Sequence, residues 1–138
     1  MSKYVIETKN LTKQYGTQKS VANLNIHVQK GRIYGLLGRN GAGKTTTMKM
    51  LLGLTQPTSG KVTIWGKPLQ ANEKRLLPRI GSLIESPGFY PNLTATENLR
   101  IFATLRGVPN RDAIKNALDL VGLPYKDKKL FSQYSLGM

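Results

Sequence analysis

Residues 35–52 read Gly-Leu-Leu-Gly-Arg-Asn-Gly-Ala-Gly-Lys-Thr-Thr-Thr-Met-Lys-Met-Leu-Leu. Inside them, Gly38 to Thr45 fit the spacing G-x-x-x-x-G-K-[ST]. Glycines at these places let the chain wrap tightly. The backbone N–H groups of Gly38, Arg39, Asn40, Gly41, Ala42 and Gly43 can then turn inward as an anion nest. Lys44 brings a flexible point charge to the β- and γ-phosphates of a nucleotide. The Thr45 hydroxyl, followed by Thr46, is placed to ligate Mg²⁺. A helix starting near Gly43 aims its positive N-terminal end at the same phosphates.

The flanking sequence supplies the context this spacing needs. Before it, Ile33-Tyr34-Gly35-Leu36-Leu37 is an apolar run that predicts a strand buried on both faces. After it, Met48, Leu51, Leu52 and Leu54 recur at helical spacing, and Gly53 marks the helix end. Strand, glycine-rich loop and helix are the setting in which the spacing means phosphate binding.

The 138 residues contain 21 Lys and Arg against 7 Asp and Glu, a formal charge of +14, and no cysteine. Disulfides and thiolate metal sites are therefore excluded, and a reducing compartment is expected. The opening MSKYVIETKN carries no apolar stretch, so no signal peptide is expected. No apolar run approaches the ~18 residues of a membrane span. The charge raises nucleic acid or an anionic surface as a partner. Against nucleic acid, the basic residues are spread along the chain. Their densest cluster, Lys126, Lys128 and Lys129, is interrupted by Asp127 and lacks interleaved aromatic residues.

Residues 3–10 read as a first strand. From Val21 to Gln29, Leu24, Ile26 and Val28 alternate with Asn23, Asn25, His27 and Gln29, which predicts a half-buried antiparallel strand with His27 on its solvated face. Lys61 to Trp65 alternate as another strand, stopped by Gly66. Residues 71–77 fit a short helix, and Ile80 to Ile84 a short apolar strand. Past Glu85, Pro87-Gly88 and Pro91 break the chain. Thr94-Ala95-Thr96-Glu97 forms a capping box ahead of a helix with Leu99, Phe102 and Leu105 on one side, ended by Gly107 and Pro109. A further helix from about Asn110 places Ile114, Ala117, Leu118 and Val121 together and ends at Gly122. The predicted organisation is a β-rich nucleotide-binding part over residues 1–85 and a helical part over 86–138.

A phosphate loop that begins at residue 38, behind two strand-like segments, resembles the ATP-binding subunits of ABC transporters. Leu11-Thr12-Lys13-Gln14-Tyr15-Gly16 is similar to that family's aromatic loop, which implies that Tyr15 stacks on adenine. Gln56-Pro57-Thr58-Ser59-Gly60-Lys61-Val62 with Gly66 resembles the family's segment after the first helix. Tyr134-Ser135-Leu136-Gly137-Met138 aligns with the signature written LSGGQ, matching it at Ser135 and Gly137. The stretch from Ile80 through Glu85 to Thr94 is most similar to transporters of lantibiotics and other bacteriocins or antimicrobial peptides.

The resemblance implies an α/β fold of the ABC-type P-loop NTPase. Its N-terminal β-rich subdomain carries the Walker A loop and helix, part of an α-helical subdomain follows, and the core sheet is incomplete. It implies ATP and Mg²⁺ as cofactors, held by Tyr15, the loop from Gly38 to Thr46, and Thr45 and Glu85 at the metal. Glu85 stands where most relatives have glutamine, at the coupling-loop position beside the attacking water. Ser135 and Gly137 would bind the γ-phosphate of a second copy. The implied partners are that second copy and an integral membrane subunit. The implied place is cytoplasmic, on the inner face of the membrane, powering export of an antimicrobial peptide or immunity to one. The chain ends at Met138, inside the signature, ahead of the family's metal-binding aspartate, catalytic glutamate and switch histidine. The chain alone is therefore expected to bind ATP without hydrolysing it and to self-associate. Other classes that fit are a non-hydrolysing nucleotide-binding module and a non-transport ABC protein acting on nucleic acid.

Overall fold

The computed structural model describes residues 2–86, 88–108 and 111–138. Pro87, Pro109 and Asn110, used above as chain breakers and helix start, lie outside the described residues. The chain divides into two compact units, Met1–Ile84 and Glu85–Met138.

The first unit is built on one long strand, β1 (Tyr4–Tyr15). Its C-terminal half pairs with β2 (Gln18–Leu24), with Leu11 opposite Leu24 and Tyr15 opposite Gln18. Its N-terminal half pairs on the same edge with β3 (His27–Gln29). The other edge takes β4 (Ser59–Ile64), which turns through Trp65 and Gly66 into the short β5 (Lys67–Pro68). All pairings are antiparallel. The predicted single strand from Val21 to Gln29 is thus two strands, although its alternation of burial holds. The break falls where β1 bulges at Asn10, which has a φ of 49°. The Asn25 side chain accepts from the Asn10 backbone N–H at 3.0 Å. Next to it, the buried Thr8 hydroxyl donates to the Leu24 carbonyl and accepts from the Ile26 N–H, both at 2.8 Å. A side chain thereby replaces the missing ladder bonds, as buried backbone groups require.

Helix α1 (Lys44–Leu51) and helix α2 (Leu69–Leu76), continued by a 3₁₀ turn at Leu77–Arg79, cover one face of this sheet. Leu11, Val21, Met50, Val62, Ile64, Leu69 and Leu76 form the core. The Arg79 guanidinium lies 4.3 Å over the Trp65 ring.

Two expected strands do not form. Residues 32–39 and 80–84 carry no strand, and Ile33 and Leu37 are almost fully exposed. A continuous apolar run becomes a parallel strand only with a ladder on its edges, and the sheet offers these segments none. Tyr34, Leu36, Ile80 and Leu83 instead line an apolar cleft of about 380 Å³, together with Met48 and Leu51 of α1 and its C-cap residue Leu52. This corrects the helix reading too: Met48 and Leu54 stay exposed, while Met50 is the residue fully buried.

The second unit holds α3 (Ala95–Leu105) and α4 (Arg111–Leu120). The capping box forms as predicted: the Glu97 N–H donates to the Thr94 hydroxyl at 3.2 Å, and the Thr94 N–H to the Glu97 carboxylate at 2.8 Å. The most buried positions of α3 are nevertheless polar. Asn98, 2% exposed, accepts from the Tyr90 N–H at 2.8 Å and donates to the Tyr90 and Thr94 carbonyls, each at 3.1 Å. Leu105 is exposed rather than packed. Ile114 and Leu118 bury the apolar side of α4, whereas Val121 is exposed. Gly122, at φ 70°, ends α4. Phe89 packs edge-to-face with Phe102 and with Phe131.

Candidate functional site

The glycine-rich loop ends on the N-terminus of α1, whose cap residue Gly43 has a φ of 90°. A Cβ there would meet the Ser20 carbonyl oxygen of β2 at 2.2 Å, so the loop rests directly on the sheet edge. Thr47 locks the first turn: its N–H and its hydroxyl both donate to the Gly43 carbonyl, at 2.9 and 2.8 Å. The first turn holds no acidic side chain. The positive end of the helix is therefore available to an anion.

Asn40, Gly41, Gly43, Lys44, Thr45 and Thr46 line one cavity of about 310 Å³. Ser20 walls it from β2, a contributor the sequence reading missed, because nothing in the local pattern ties residue 20 to the loop. Gly38, Arg39 and Ala42 are not among its walls. The Lys44 ammonium donates to the carbonyl of Gly38 and, at 2.7 Å, to that of Arg39. The Ala42 N–H closes the loop on the Arg39 carbonyl at 3.0 Å. A cavity walled by glycine backbone, one ammonium and two threonine side chains suits a polyphosphate with a hard divalent cation.

Tyr15, 53% exposed, ends β1 on the same hairpin as Ser20. The Lys13 ammonium lies 5.2 Å from the ring centroid and donates to the Gln56 carbonyl at 2.7 Å. Tyr15 is outside the walls of the loop cavity. Glu85 is exposed and opens the second unit at a φ of 62°, a conformation uncommon outside glycine. Ser135 and Gly137 lie exposed near the end of that unit. There the Met138 N–H donates to the Ser135 carbonyl at 3.1 Å. His27 is exposed on β3 and packs edge-to-face against Tyr4. Among the described residues, no three Asp, Glu or His side chains converge as a metal cluster.

Comparison with known proteins bears on the family and the fold. The family model described as ABC transporter matches residues 21–138. The chain is 57% identical over 134 residues to the bacitracin transport ATP-binding protein of Bacillus licheniformis, covering 97% of this chain and 44% of that one. It is 41% identical over 134 residues to the lantibiotic transport ATP-binding protein of Streptococcus pyogenes, covering 97% of this chain and 57% of that one. The chain thus spans about half the length of these relatives. A solved structure described as an ATP-binding subunit of an ABC transporter superposes with a TM-score of 0.78 at 28% identity, over 96% of this chain and 57% of that one. Fold, phosphate loop and sequence agree, and the chain belongs to the ABC transporter family.

Proposed function

We propose that this chain is the nucleotide-binding portion of an ATP-binding subunit that powers export of an antimicrobial peptide, or immunity to one. The observation that carries the proposal is the cradle from Gly38 to Thr46, seated on the N-terminus of α1. Backbone N–H groups of the loop bind phosphate oxygens. The Lys44 ammonium leaves the Gly38 and Arg39 carbonyls for the β- and γ-phosphates, exchanging neutral acceptors for charged ones. The Thr45 hydroxyl is the donor that this unit would offer to Mg²⁺, which would neutralise phosphate charge. Tyr15 lends its open face to adenine.

In this reading residues 1–85 are the nucleotide-binding part and 86–138 the helical part. The exposed Ser135 and Gly137 reach the nucleotide of a second copy. No helix among the described residues is long and apolar enough to cross a membrane. The partner in this reading is a separate membrane subunit, with this chain on its cytoplasmic side. The names of the bacitracin and lantibiotic relatives support the peptide substrate. The nucleic-acid alternative has no comparable support.

The test is genetic. A strain deleted for the complete gene should become sensitive to bacitracin or a lantibiotic, and the wild-type gene should restore resistance while Lys44→Ala does not. Unchanged sensitivity to both peptide classes would overturn the substrate assignment. Calorimetry of the purified chain separates that from the nucleotide site, because Lys44→Ala should weaken ATP binding by about tenfold or more.

A further inference from the structure

The outer face of the first unit's sheet holds an electrostatic conflict. In the pairing of β1 with β4, Lys9 stands directly opposite Lys61. Like charges in that relation destabilise an antiparallel pair. Beside them, Glu7 lies opposite Thr63 on one flank and His27 on the other. These residues, with Asn25, line an open hollow of about 360 Å³.

The ionisable groups facing the hollow are Lys9, Lys61, His27 and Glu7. The Glu7 carboxylate accepts from the Ser2 hydroxyl at 3.3 Å, and no ion pair among the described residues joins it to either lysine. Asn25 is committed to the β1 bulge through its bonds to Asn10 and Asn23. That leaves two ammonium groups, the Thr63 hydroxyl and the His27 ring N–H as donors without a protein acceptor among the described residues. A dianion between Lys9 and Lys61 converts their repulsion into two charge-assisted contacts. Glu7, at one end, repels a continuous polyanion laid along the face but leaves room for one phosphate group.

We infer that this hollow binds a phosphate monoester dianion between Lys9 and Lys61, at a site separate from the phosphate loop. The ligand is either a small soluble phosphate compound or the headgroup of a phosphatidic-acid-like lipid.

His27 is the only histidine of the chain, so its ring resonances report on this hollow alone. Inorganic phosphate added at constant ionic strength should shift them saturably, and chloride should not. The double variant Lys9→Gln with Lys61→Gln should weaken the response by about tenfold or more. Lys9→Arg with Lys61→Arg should retain it, which keeps a charge effect apart from misfolding. Lys44→Ala should also retain it, which keeps the result independent of the nucleotide site. Vesicles of phosphatidic acid in phosphatidylcholine, beside phosphatidylcholine alone, separate the sources: a response to the former only assigns a lipid headgroup. No saturable response to phosphate or to phosphatidic acid, or an equal response in the Lys-to-Gln double variant, overturns the site.

Discussion

Gly43 and Ser20 are in backbone contact: a Cβ at residue 43 would lie 2.2 Å from the Ser20 carbonyl oxygen and 2.9 Å from the Val21 side chain. The glycine is thus required twice, by its φ of 90° and by the space. Gly43→Ala should cost the first unit about 1–3 kcal/mol from backbone strain alone, and more from the overlap. Denaturant unfolding followed at Trp65 should show the loss. Retention of both stability and ATP affinity would mean that the loop does not rest on β2.

Tyr15 is half exposed with one face toward Lys13. If the open face takes adenine, Tyr15→Ala should weaken ATP binding by about 1 kcal/mol, roughly fivefold, while Tyr15→Phe and Tyr15→Trp keep it. Guanine nucleotides should bind nearly as well, because stacking reads a π-face. Equal losses in Tyr15→Phe and Tyr15→Ala would point to the phenol hydroxyl instead.

The 138-residue chain should bind ATP but turn it over slowly. In-line attack on the γ-phosphate needs a held metal and a positioned base. Glu97 is engaged in the capping box, and Asp119 pairs with Lys115 at 3.5 Å on the surface of α4. Glu85 is the acid that follows an apolar segment. Phosphate release should stay well below the ~1 s⁻¹ lower range of enzymes. Turnover at or above that rate, dependent on Lys44 and lost in Glu85→Gln, would make Glu85 the base.

The cleft beneath Met48, Leu51 and Leu52 predicts self-association of this chain in isolation. Its walls are apolar, and Ile33 and Leu37 beside it stand in solvent. Exposed apolar surface joined to segments without a ladder invites pairing between copies. Light scattering should show mass rising with concentration, and Ile33→Lys with Leu37→Lys should reduce it. A monomer at high concentration would contradict this.

The phosphate loop was legible because its chemistry is local: glycines, lysine and threonine act within eight residues. The capping box and the solvated His27 were legible for the same reason. What stayed hidden depended on residues far apart in the chain. The split of β2 from β3 follows from Thr8 and Asn10, more than ten residues upstream. Ser20 reaches the loop cavity only through the register of β2. The runs at 33–37 and 80–84 carry the composition of buried strands, but composition does not supply a hydrogen-bonding edge. On α3, apolar spacing pointed to Leu105, whereas the buried position is Asn98, fixed by the loop it clasps.

That clasp has a further consequence. Residues 90–94 form no regular element beyond an isolated bridge at Thr94, yet one amide side chain ties both the N–H and the carbonyl of Tyr90, along with the Thr94 carbonyl, to the helix. The loop is therefore held in one shape before anything meets it, with Tyr90 about half exposed. A protein surface docking on Tyr90 would lose little conformational freedom on arrival, and the association would keep most of its contact energy as affinity.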